Sequence, residues 1–145
     1  MIVADTNLVA YLVIDGERTE AARRVRMRDA DWRLPPLWRS EFLSVLATSV
    51  RASVLDEEGA LRAWEIATTL FGRCEEEPGG AEVLKTALRY SISAYDAQFV
   101  RLAERLEVTL VAGDKRLCSA CASFAVSIEE FAGTALPKRS PRRRP

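Results

Sequence analysis

Short unbroken apolar runs alternate along the chain with stretches whose apolar residues recur every three or four positions, the signatures of buried strands and of helices. Residues 1–4 form the first run, closed by Asp5, and residues 6–13 continue at helical spacing until Asp15-Gly16 punctuates the chain. Residues 17–28 predict a charged helix with Ala21, Ala22 and Val25 facing inward. A second short strand covers residues 32–34 and stops at Pro35-Pro36. The clearest amphipathic helix is 37–52, where Trp38, Phe42, Val45, Leu46 and Ser49 share a face. Another helix, 56–71, takes Leu61, Trp64, Ile66 and Leu70 as its apolar positions.

Segment 72–80 breaks the pattern with three glutamates, a proline and three glycines, and leaves room for one poor strand. Residues 81–90 read as a helix. Ser93 then serves as the N-cap of a helix reaching Leu106, with Tyr95, Phe99, Leu102 and Leu106 along one side. Residues 108–112 are the strongest strand, continuous and rich in β-branched side chains, as a strand buried on both faces should be. A short helix at 114–119 and a last strand at 124–127 complete the series. Strands alternating with helices predict an α/β fold in three layers, α/β/α, around a central, mostly parallel sheet. The chain contains neither an internal repeat nor a glycine-rich phosphate loop.

The 145 residues are one domain's worth of chain, and 48% apolar content suffices for a core without staples. The 21 basic and 21 acidic side chains are unevenly placed. Lys138, Arg139, Arg142, Arg143 and Arg144 fall in an acid-free last segment, so residues 1–136 keep 16 basic against 21 acidic groups, a net of −5. We therefore expect a single acidic domain at 1–136 and a basic tail at 137–145.

Histidine is absent, which removes histidine general bases, Ser-His-Asp triads and histidine-ligated metals. Cys118 and Cys121 form a C-x-x-C, but with only Cys74 in addition a structural zinc site is incomplete. The cysteines read as small, partly buried thiols in a reducing compartment. No basic leader opens the chain, and no uncharged apolar stretch reaches the roughly 18 residues of a membrane span. A cytoplasmic protein without membrane contact is the expectation.

What remains for chemistry is acid. In a parallel α/β sheet, ligands bind beyond the carboxyl ends of the strands. Asp5 ends the first strand, and Asp114 follows the strong later strand by one glycine. Glu41 lies at the edge of a core-facing helical stripe, and Asp96 in the first turn of its helix. Each has a structural alternative: Asp5 and Asp114 as helix caps, Asp96 as part of a Ser-x-x-Asp capping box, Glu41 as an edge residue reaching for water.

Residues 1–132 resemble the PIN-domain ribonucleases, and among them the VapC-type toxins of prokaryotic toxin–antitoxin pairs. The resemblance is carried by VADTNLVAYL at the start, SEFLSVL in the amphipathic helix, SISAYDAQFVRLAERL, and LVAGDKRL. It implies that Asp5, Glu41, Asp96 and Asp114 are catalytic and hold Mg²⁺ or Mn²⁺, with Thr6 and Asn7 orienting waters or the scissile phosphate. It implies cleavage within RNA to 5′-phosphate and 3′-hydroxyl ends, inhibition by a cognate antitoxin, and a homodimer. The sequence departs from the pattern at Ala112, where the family often has Thr or Ser, and after Phe71, where a strand is poorly matched.

These residue types suit that chemistry. Phosphodiester hydrolysis needs a water nucleophile and relief of charge on phosphorus, and Mg²⁺ favours a shell of carboxylates, waters and phosphate. Because an acidic crevice repels RNA, basic groups must attract it; Lys115 and Arg116 stand beside Asp114, and arginines crowd residues 18–33. Two other readings compete. One is a catalytically inactive PIN module that binds RNA or a protein partner. The other is a receiver-like signalling domain, disfavoured because no central strand ends in an acceptor Asp.

Overall fold

The structure, a computed structural model, describes residues 1–133, so the basic tail and the end of the expected domain lie outside it. Strands β1 (Ile2–Ala4), β2 (Trp32–Arg33), β3 (Thr109–Ala112) and β4 (Ala125–Ser127) form one sheet ordered β2-β1-β3-β4. All three pairings are parallel, so the described sheet is wholly rather than mostly parallel. The first apolar run and the strong run at 108–112 thus become the two central strands, so, contrary to expectation, a central strand does end in an aspartate, Asp5. Ala4 pairs with Val111, a register that sets Asp5 beside the turn following β3.

Eight helices complete the described chain: α1 (Thr6–Val13), α2 (Thr19–Arg28), α3 (Trp38–Arg51), α4 (Glu57–Phe71), α5 (Gly80–Tyr90), α6 (Ala94–Leu106), α7 (Lys115–Ala120) and α8 (Ile128–Ala132). Helix α6 packs on β1 and β3 with α5 against it, while α1 contacts β3 and gathers α2, α3 and α4. Together they give the expected α/β/α arrangement. Helix starts follow local chemistry: Asp5, Asp56, Ser93, Asp114 and Ser127 each accept a backbone N–H of the following turn. Helix α8 had no counterpart in the sequence pattern. Its Ser127 cap, with Glu129 and Glu130 in its first turn, secures an otherwise very short helix.

The core is aromatic around α3 and α4. Trp32 stacks on Phe71 at 5.2 Å between ring centroids, and Trp38 contacts Phe42, Trp64 and Phe71. This packing corrects the assignment of the α4 face: Ala63, Ala67 and Phe71 are buried, whereas Leu61, Ile66 and Leu70 are exposed. Small alanines let α4 approach its neighbours where leucines could not. Tyr95, expected along the inner side of α6, is also exposed.

Segment 72–79 contributes one parallel bridge, Glu75 to Leu34, and no strand. Side chains fasten it instead. Glu75 accepts from Trp38 Nε1 at 2.8 Å and pairs with Arg39, while Glu76 pairs with Arg33 at 3.3 Å and Arg105 at 3.0 Å. Among the described residues no helix is long and apolar enough to cross a membrane.

Candidate functional site

A cavity of about 450 Å³ opens beyond the carboxyl ends of β1 and β3. Asp5, Glu41, Asp96 and Asp114 all line it, so the fold gathers the four acids that the sequence singled out. They come from four different places: the end of β1, the first turn of α3, the first turn of α6 and the cap of α7. Among the described residues, no lysine or arginine shares the lining.

Asp5 is the most constrained. It is buried; Oδ1 accepts from Leu8 N at 2.8 Å and Oδ2 from Gly113 N at 2.8 Å. Burial pushes its carboxyl up to about 7, an effect its two backbone donors only partly oppose and to which Glu41 and Asp96 add. Glu41 is half-buried and accepts from the buried Thr6 hydroxyl at 2.8 Å. Burial raises its pKa, the Thr6 hydrogen bond opposes this, and Asp96 adds to the rise. Asp96, also half-buried, is raised by burial and then by Asp114, with Ser93 opposing. Asp114 is exposed, and its Oδ1 accepts from Arg116 N at 2.8 Å and Leu117 N at 3.2 Å.

Two of the four acids, Asp5 and Asp114, thus do the capping work that their structural alternatives described, while Asp96 gives only its backbone N–H to the Ser93 cap, and all still face one space. Capping uses some oxygen lone pairs and leaves others free, since an ionised carboxylate offers about four. Among the described residues no three acidic or cysteine side chains are already drawn together around a single point. Unit charges 4 Å apart in an effective dielectric of 20 repel by roughly 4 kcal/mol, so close approach of these carboxylates needs a proton or a cation between them. The donor set, all oxygen, rich in carboxylate and without a competing base, fits a hard divalent cation.

The other site residues divide. Thr6 and Asn7 line the cavity, but the Thr6 hydroxyl is spent on Glu41. Lys115 and Arg116 open α7 on the exposed surface and do not line the cavity. Sequence reasoning missed Ser44 and Thr48, which line the cavity from α3 with Glu41. Their spacing of three and seven residues from Glu41 was the available signal. Ala112 is fully buried, and burial foremost pushes the nearby Cys118 thiol up to about 11, an unreactive state.

The chain is similar to known proteins. A family model described as PIN domain matches residues 2–122. Ribonuclease VapC3 of Pyrobaculum aerophilum is 29% identical over 120 residues, covering 80% of this chain and 91% of that protein. The crystal structure of PAE2754 from Pyrobaculum aerophilum superposes with a TM-score of 0.74 at 20% identity, covering 91% of this chain and 93% of that one.

Proposed function

The chain belongs to the PIN domain family, and on that premise we propose that it is a Mg²⁺- or Mn²⁺-dependent endoribonuclease of the VapC toxin type. The observation that carries this reading is the cavity itself: four carboxylates from four elements, with no basic side chain of the described residues among them, in a protein that has no histidine. The likeness to a protein named Ribonuclease VapC3 supports RNA as the substrate, and the resemblance to VapC-type toxins makes an antitoxin the inhibiting partner of this proposal. A homodimer and a cytoplasmic setting complete the proposal.

Asp5, Glu41 and Asp96 would hold the ion or ions, with Asp114 direct or through water. When bound, Mg²⁺ or Mn²⁺ would supply positive charge against the phosphate and lower the pKa of a bound water, easing its deprotonation. The chain's own contribution is orientation. Backbone N–H groups of Leu8 and Gly113 fix the Asp5 carboxylate, and Thr6 fixes one oxygen of Glu41. Asn7, exposed at the mouth, offers an amide to a phosphate oxygen. Lys115 and Arg116 act from outside the cavity by drawing the RNA backbone toward it. Cleavage would leave 5′-phosphate and 3′-hydroxyl ends.

The test is RNA cleavage by chelator-stripped protein titrated with Mg²⁺ and Mn²⁺. Activity should appear with the ion and vanish with EDTA. Undiminished cleavage by the stripped protein would sink the mechanism, and no cleavage with either ion would favour a binding module.

A further inference from the structure

A second cavity, of about 320 Å³, adjoins the acidic one and shares two of its walls, Val45 and Ser49 of α3. Its size falls within the range of small-molecule pockets. Tyr11 and Ile14 give it an apolar side, and Arg18 lines it with its guanidinium 4.7 Å from the centre of the Tyr11 ring. Arg18 also donates to the Tyr11 hydroxyl at 3.3 Å and pairs with Glu129, so its charge is already balanced. Asp15 adds a carboxylate to the lining, and Glu17 another. Among the described residues, a phosphate would therefore find no uncommitted cation there. A flat, weakly polar group would find an aromatic ring, a planar guanidinium and hydrogen-bond acceptors. Those are the surfaces on which unstacked bases are held.

Resting on the endoribonuclease reading above, we propose that this cavity is a nucleobase subsite, which takes the base next to the scissile phosphate and stacks it on the Tyr11–Arg18 pair. The shared wall of α3 fixes the order. The phosphate sits among the acids, and the adjoining base turns past Val45 and Ser49 into the second cavity. The pair is assembled before RNA arrives, because Glu129 and the Tyr11 hydroxyl hold the guanidinium in place. Stacking of this kind tolerates any base, so the subsite contributes affinity and register more than sequence choice.

An abasic scan tests this. A fluorescently labelled single-stranded RNA is cleaved by the full chain with Mg²⁺ and its cleavage point mapped; each flanking base is then removed in turn. Removing the base at one position beside the cut should lower kcat/KM about tenfold, a loss of ordinary size for one stacked base. Arg18→Lys keeps a charge for Glu129 but has no plane, and Tyr11→Leu keeps apolar bulk without the ring. Both variants should cleave intact RNA with a KM raised about tenfold, and should lose the abasic penalty to within twofold. Cleavage of intact RNA with no penalty at any flanking position overturns the subsite and leaves the nuclease reading standing. So does a penalty that persists undiminished in both variants. Unchanged cleavage by both variants likewise overturns it and leaves the cavity to a protein segment. A wild type that cleaves no RNA ends both readings together.

Discussion

The carboxylate of Asp5 reaches 108 residues along the chain to accept the backbone N–H of Gly113 at 2.8 Å. One bond thereby ties the end of β1 to the turn after β3, the two central strands of the sheet. Its other oxygen caps α1 through Leu8 N at 2.8 Å. Gly113 is suited to this approach, since a Cβ there would stand 3.1 Å from that of Asn7. Asp5 is therefore at once a structural clasp and the most buried acid of the candidate site.

That dual role gives a pH dependence with a definite sign. The folded-state pKa of Asp5 is raised from 3.8 to about 7, so the native state holds a proton that the unfolded chain releases. Such a group contributes its stability below pH 3.8 and loses it as pH rises through about 7. Metal-free protein should lose stability across that window, with an upper bound of about 4 kcal/mol at 1.36 kcal/mol per unit. Glu41 and Asp96 are raised too and act in the same direction. Urea unfolding at several pH values with EDTA reads the slope, and a stability that climbed from pH 4 to pH 7 would contradict it.

Asp5→Asn should abolish cleavage and flatten part of that slope. Asparagine keeps an acceptor for Leu8 N but cannot also accept from Gly113 N, which leaves a buried donor at a cost of about 1–3 kcal/mol. At pH 5, where Asp5 is mostly protonated, the variant should be the less stable protein. By pH 8, where the buried charge burdens the metal-free wild type, the gap should close or reverse. A variant that fails to fold at both pH values would make Asp5 chiefly structural.

Thr6→Val removes the donor at 2.8 Å from Glu41 while keeping a β-branched side chain of nearly the same shape. The Glu41 carboxylate should then wander and hold the ion less well. Partners of this kind typically carry 10–100-fold in affinity or activity, so half-maximal cleavage should need about tenfold more Mg²⁺. Thr6→Ser should restore it. An unchanged Mg²⁺ requirement in Thr6→Val would return Thr6 to a purely structural place in α1.

The difference between what the sequence revealed and what it hid has physical causes. Residues 108–112 announce β3 because a strand buried on both faces must be apolar throughout, and Ser93 announces α6 because its hydroxyl has a definite partner in Asp96 N. The buried face of α4 was misread because side-chain size was taken as the sign of burial. Close packing at Trp38 and Trp64 selected Ala63 and Ala67 instead. The four acids could be named one by one, but their convergence depends on the β2-β1-β3-β4 order, which no local spacing encodes. The Thr6–Glu41 and Asp5–Gly113 bonds depend on it in turn, as does the lining role of Ser44 and Thr48.

Glu75 offers a test of how segment 72–79 steadies the start of α3, three residues before Glu41. Its carboxylate accepts from the fully buried Trp38 indole and pairs with Arg39. Glu75→Ala leaves the indole N–H without a partner and should cost about 1–3 kcal/mol. Glu75→Gln keeps an acceptor and should cost less than half as much. Equal losses from the two substitutions, measured by urea unfolding, would move the effect from the hydrogen bond to the packing of the side chain.

Asp114 separates the capping role from the metal role, because asparagine preserves one and not the other. Its Oδ1 accepts from both Arg116 N and Leu117 N, and asparagine is as good an N-cap as aspartate. Asp114→Asn therefore leaves α7 capped while removing one of the charges that repel across the cavity. Metal-free Asp114→Asn should melt at the wild-type temperature or slightly above it. Added Mg²⁺ should then raise its melting temperature less than that of wild type, since the stabilisation by a bound ion grows with the logarithm of its concentration over Kd, and a weaker site gains less. Asp114→Ala provides the contrast: it also removes the charge but loses the cap, and should fall by about 1 kcal/mol without metal. Thermal scans of the three proteins, each with EDTA and with excess Mg²⁺, give every comparison. If Asp114→Asn gains as much from Mg²⁺ as wild type, Asp114 is a cap alone. Ion binding then belongs to Asp5, Glu41 and Asp96.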